Sequence, residues 1–161
     1  MNGISRLLLG AAVLAAACQG KQERSPEETA AIDSARAAAD DSAAQANSKE
    51  LKLTAVMIGR QIGTNNLITE PTFQFAPADT VFLSVATVGS PDTAALRAVV
   101  IGQNGKAVDS TAQTIKPQGH ATTPLRLAPE KGWKPGTYRL TLYNNGDSVD
   151  AKTFAVQAPQ K

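Results

Sequence analysis

Apolar and polar positions fall along this chain in three regimes. Residues 7–17 form an unbroken uncharged apolar run. Residues 19–50 hold one large aliphatic, Ile32, among alanine, serine and charged residues. From Leu51 onward, short runs rich in valine, isoleucine, leucine and threonine alternate with Gly, Pro, Asn and Asp, which is the punctuation of β-strands and turns. The pattern predicts strands at 51–59, 65–69, 80–88, 95–102, 106–114, 121–127, 137–143 and 148–157. Strands this short at this spacing predict an all-β fold, a single small antiparallel sandwich over 51–158.

Two hairpins are marked by Asn-Gly pairs, whose residues tolerate the positive φ of a type I′ turn. Asn104-Gly105 joins 96–101 to 106–114, and Asn145-Gly146 joins 138–143 to 149–156. Tyr138, Leu140 and Leu142 alternate with Arg139 and Thr141, so one face of that strand is buried. Val149 and Phe154 have opposite parity, which predicts a bulge between Asp150 and Thr153. Pro135-Gly136 fits a type II turn leading into the same strand.

The middle segment lacks the apolar area needed to offset chain entropy as a globule. Ser25, Pro26 and Glu28 read as a helix start with a capping box, and Asp33 and Arg36 are spaced as a helical pair. An isolated helix of this length is marginal in water, and alanine gives a coiled-coil seam little to bury. A solvated tether with transient helix is therefore expected.

Residues 1–18 read MNGISRLLLGAAVLAAAC. Arg6 provides a positive start, and the apolar run is too short to span a bilayer but suits a signal peptide. Ala15-Ala16-Ala17-Cys18, with Val13 and Leu14 upstream, resembles the lipobox of bacterial lipoproteins, with Ala15 where leucine is usual. The resemblance implies a signal peptide over 1–17, cleavage before Cys18, and a diacylglycerol on the Cys18 sulfur. It also implies a chain held in the cell envelope, at the outer membrane when the host has two membranes, because Gln19 follows the cysteine. On this division 18–50 is the lipidated cysteine and its spacer. Ordinary secretion and a retained anchor are the alternatives.

A second resemblance lies in the β region. Gly132-Trp133-Lys134-Pro135-Gly136-Thr137-Tyr138-Arg139-Leu140, Asn145-Gly146-Asp147-Ser148-Val149 and Phe154-Ala155-Val156 resemble the last hairpin of immunoglobulin-like domains in bacterial surface proteins. The stretch around Phe73 and Phe75, with Pro77-Ala78-Asp79-Thr80-Val81, is similar to the lead-in to a middle strand of such domains. The cysteine pair and buried-tryptophan signature of antibody domains are absent.

Charge adds little. Residues 19–50 carry four basic and seven acidic side chains, and 51–161 carry eleven basic and seven acidic. The basic residues are scattered without an interleaved aromatic platform, so no nucleic-acid partner is expected. His120 is the single histidine and Cys18 the single cysteine, too few for a zinc site without several carboxylates. No glycine-rich phosphate loop or nucleophile elbow occurs. No metal, cofactor or catalytic residue is expected, and the chain is not expected to be an enzyme. Trp133 either packs against the end of the sandwich or serves a ligand, packing being preferred. The first functional expectation is an envelope-protein-binding or adaptor module. The second is a carbohydrate- or peptidoglycan-binding module using Trp133, Tyr138 and Tyr143.

Overall fold

The structure is a computed structural model that describes residues 26–158. The segment carrying Cys18 and the expected cap at Ser25 lie outside the described residues. The described chain divides into two units after Arg36, within α1 (Pro26–Asn47, 22 residues).

Eight strands follow: β1 (Lys52–Gly59), β2 (Gln74–Phe75), β3 (Val81–Val88), β4 (Ala94–Ile101), β5 (Ala107–Ile115), β6 (His120–Leu127), β7 (Gly136–Asn144) and β8 (Asp147–Val156). They form a three-stranded sheet, β1-β3-β6, and a five-stranded sheet, β2-β8-β7-β4-β5. All pairs are antiparallel except β2 with β8, which is parallel. Hydrogen-bonded neighbours that are distant in sequence, β3 with β6 and β4 with β7, are the Greek-key crossings of an immunoglobulin-like sandwich. The fold is therefore an immunoglobulin-like all-β sandwich.

Alternation builds the core. Val81, Leu83 and Val85 of β3 and Leu125 and Leu127 of β6 face Leu96, Ala98 and Val100 of β4 and Leu140 and Leu142 of β7, all buried. Phe75, Trp133, Tyr138 and Phe154 close one part of this core. Their rings sit 5.3–5.5 Å apart in mostly edge-to-face pairs, the geometry that the ring quadrupole favours.

Several local expectations are corrected. Residues 65–69 are not a sheet strand; they contribute one bridge, Ile62 to Ile68, inside the long segment between β1 and β2. Strand β2, only two residues long, forms instead beside β8. The Asn104-Gly105 turn is not type I′. Gly105 N–H donates to Gly102 O, Gly102 and Lys106 close the loop, and only Gly105 has positive φ, which makes a three-residue loop ending in a glycine bulge. The Asn145-Gly146 turn does have both φ positive, 51° and 100°. The bulge on β8 lies at Val149, where Leu142 faces Asp150 and Tyr143 faces Ser148, not beyond Asp150. Gly136 is not the third residue of a type II turn: its φ is 149° and it already pairs with Val156.

The stretch expected as a transient helix is one continuous helix. Alanine favours it, and its last turn is held. Ser90 Oγ donates to Ala46 O (2.8 Å) and accepts from Gly119 N–H (2.9 Å), while Ser90 N–H donates to Ser48 O (2.6 Å). One orphan carbonyl of the helix end is thus satisfied by the loop after β3. Gly89 makes this approach with φ 133°, and a Cβ there would collide with Glu50 O.

Candidate functional site

The aromatic residues expected to contact a ligand separate into two groups. Trp133 is 2% exposed, and its Nε1–H donates to Asp79 O at 2.9 Å. Tyr138 is 6% exposed, and its hydroxyl donates to Lys134 O at 2.7 Å. Both rings are core. Trp133 thus packs, the preferred of its two readings, and the ring faces of both residues are covered by each other and by Phe154. The Tyr138 bond spans the turn into β7, and it is the tyrosine corner found in immunoglobulin-like sandwiches. It takes the very carbonyl that a type II turn would have used. The signal was present in Lys134-Pro135-Gly136-Thr137-Tyr138, a tyrosine placed just inside a strand after a Pro-Gly corner.

Tyr143 lies elsewhere. It is half-buried on the outer face of the five-stranded sheet, opposite Arg97 on β4. Arg139, four residues back along β7, is exposed on that same face, about 13 Å away along the strand at 3.3 Å per residue. Among the described residues, neither arginine is in an ion pair. Strand parity places Ala95, Val99, Thr141, Ala151, Thr153 and Ala112 around them, and among the described residues no acidic side chain shares the face. A shallow depression there is lined by Ala95, Arg97, Val99, Ala112, Thr114 and Tyr143. Arginine and tyrosine bring rigid donors and amphipathic area, and small neighbours leave them reachable.

The opposite sheet is different. The chain's own segment 60–70 lies against part of its outer face, and Met57 on that face stays exposed. A Cβ on Gly59 would strike the Ile68 side chain and Glu70 O. Asn66 Nδ2–H donates to Thr122 O at 3.3 Å, and Arg60 N–H and Thr69 N–H bond back to Glu70 O and Gln61 O at 3.1 Å each. Arg60 fastens the base of the segment, reaching Asp79 (3.0 Å), Glu70 (3.3 Å) and Gln74 O (2.9 Å). Ser84, which points outward from the central strand, is buried.

His120 is exposed at the start of β6, paired across to Val88. Among the described residues, no three His, Cys, Asp or Glu side chains gather in a group that could hold a metal ion. No helix of the described residues is long and apolar enough to cross a membrane.

No family model matches the chain, and no curated protein matches it. Solved structures resemble it at low identity. An immunoglobulin-like protein from Pseudomonas aeruginosa is 12% identical with a TM-score of 0.45, the match covering 67% of this chain and 97% of that one. An alkylpurine DNA glycosylase from Pseudomonas fluorescens is 14% identical with a TM-score of 0.42, over 84% of this chain and 40% of that one. A β-glucosidase from Listeria innocua is 12% identical with a TM-score of 0.44, over 67% of this chain and 16% of that one. The DNA and sugar chemistry of the latter two belongs to those longer proteins.

Proposed function

We propose that the chain is a lipid-anchored protein of the cell envelope whose sandwich is a non-catalytic module that binds another protein. The anchor is the diacylglycerol that the lipobox resemblance places on Cys18, at the outer membrane when the host has two. The binding surface is the outer face of the five-stranded sheet. The observation that carries this reading is the asymmetry of the two sheets: segment 60–70 lies against part of one outer face, at Gly59 and Thr122, while the other is open and carries Arg97, Arg139 and Tyr143 with no acidic residue among the described residues. Arg97 beside Tyr143, with Arg139 about 13 Å along the same face, suits a partner surface with carboxylates, because guanidinium binds carboxylate through two parallel hydrogen bonds. The glycan reading has lost Trp133 and Tyr138 to the core, which leaves Tyr143 without a second ring to stack a sugar.

The test is capture of envelope proteins by the immobilised, detergent-solubilised chain. Arg97→Glu combined with Arg139→Glu is expected to abolish capture of a specific protein and leave the thermal unfolding midpoint within a few degrees of the original, because both side chains are exposed. Capture that survives the double reversal would remove the face from the proposal. Retention on purified peptidoglycan with no protein captured would favour the glycan reading.

A further inference from the structure

The sandwich has four strand edges left open along most of their length, and natural proteins obstruct such edges because a free ladder of N–H and C=O groups recruits another strand. Three of the four are obstructed. Strand β1 has a bulge between Leu53 and Ala55. Strand β6 has Pro124, which lacks an N–H, in its middle. Strand β8 has the Val149 bulge, the Asp150–Lys152 ion pair at 2.8 Å, and β2 laid along its end. Strand β5 is the exception. Its irregularity lies at its start, opposite Val100 and Ile101, and from Ser110 to Ile115 it holds no proline, no charged residue and no bulge.

The direction of its free groups follows from β4. Ala95 N–H donates to Asn145 Oδ1 and Ala95 O accepts from Asn145 N–H, so Ala95 points toward β7. Alternate residues of a strand point to opposite sides. Leu96 and Ala98 therefore point toward β5 and bond to Gln113 and Thr111, their cross-strand partners. Ser110, Ala112 and Thr114 are left aiming off the edge. The Ser110 amide is taken by Asp109 Oδ1 at 2.8 Å. Two amides, of Ala112 and Thr114, and three carbonyls, of Ser110, Ala112 and Thr114, remain without a partner among the described residues.

We propose that this edge pairs with the same edge of a second copy of the chain, antiparallel about a two-fold axis at Ala112, to make one continuous sheet across two sandwiches. The free groups complement themselves. Each Ala112 N–H meets the Ala112 C=O of the other copy, and each Thr114 N–H meets the Ser110 C=O of the other copy. These are four hydrogen bonds that leave the Asp109 cap in place. No like charges oppose each other: Asp109 faces Ile115 and Thr111 faces Gln113. The two Arg97 residues stand three strand spacings apart, about 14 Å, beyond the screening length at physiological salt. A closed two-fold pairing of this kind also uses up both free edges and ends the assembly at two.

The test uses the full-length chain with Ala112→Cys. Directly opposed, hydrogen-bonded residues have Cα atoms about 5.5 Å apart, within disulfide reach, and Ala112 is exposed. Mild oxidation is expected to give a covalent dimer that neither the wild-type chain, with its own Cys18, nor Ala151→Cys on β8 gives. Ser110→Cys and Thr114→Cys copies are expected to crosslink with each other when mixed. Crosslinking of Ala112→Cys no greater than that of the two controls would overturn the proposal, as would a product joining it to a different protein. Hydrogen exchange on the wild-type chain gives a second readout. The Ala112 and Thr114 amides should slow as concentration rises, and exchange independent of concentration would contradict the pairing.

Discussion

Replacing Trp133 with alanine is expected to cost the sandwich about 3–5 kcal/mol, the range for deleting a buried large aromatic. Three losses add up. The indole is 2% exposed, so its area returns to water and a cavity opens. Edge-to-face contacts to Tyr138 (5.4 Å) and Phe154 (5.5 Å) disappear together. Asp79 O loses its donor. The Asp79 loop also fastens Arg60, through the 3.0 Å ion pair, and Ala76 N–H, through a 2.8 Å bond. The damage should therefore spread from the β6–β7 corner to the segment over the other sheet. Thermal unfolding should show a midpoint lowered by about 10 °C or more, given several degrees per kcal/mol for a domain of this size. Tyr143→Ala on the outer face is the comparison, expected within about 1 kcal/mol of wild type as an exposed-side substitution. Equal effects from the two would mean that Trp133 is not the core residue described here.

Gly59→Ala should have the second largest effect. Gly59 sits on β1 opposite Phe82, with its missing side chain directed outward. A methyl there meets the Ile68 side chain and Glu70 O, and the latter is backbone with little room to yield. Overpacking of this kind typically costs about 1–3 kcal/mol. Here the relief is local: segment 60–70 lifts and Ile68 becomes exposed. Hydrogen exchange should accelerate at the amides of Arg60 and Thr69, which bond within that segment at 3.1 Å each, while the β4 and β7 amides remain protected. Unchanged exchange at Arg60 and Thr69 would show that the segment is not seated by this glycine.

The strands were legible because alternation and turn residues agree from β3 to β8. Leu96, Ala98 and Val100 against Arg97 and Val99 state the inward and outward faces outright. What eluded the sequence was set by contacts distant along the chain. Strand β2 exists only because Phe73 O and Phe75 O accept from Ala155 N–H and Gln157 N–H, and two residues carry no period. Residues 65–69 have strand composition, yet they are spent covering Gly59. The helix owes its fixed end to Ser90, more than forty residues away. The candidate site was half legible. Tyr143 shares the parity of Arg139 and Thr141, so its outward face was legible, but Arg97 across the sheet was not, because the pairing of β7 with β4 is set by the topology. Trp133 packs, as its sequence context favoured, and Tyr138 is buried beside it; the indole N–H and the hydroxyl, which could have served a ligand, are taken by Asp79 O and Lys134 O.

A module that works at a membrane surface must first be attached there, and two or more acyl chains suffice where one is marginal. The decisive measurement is labelled palmitate incorporation in cells making the full-length chain or its Cys18→Ser variant. The expected result is a labelled wild-type chain in the membrane fraction and an unlabelled Cys18→Ser variant that keeps the length of the uncleaved precursor. Label retained by Cys18→Ser, or a wild-type chain that takes up none and is recovered outside the membrane, would contradict the anchor and with it the envelope role built upon it.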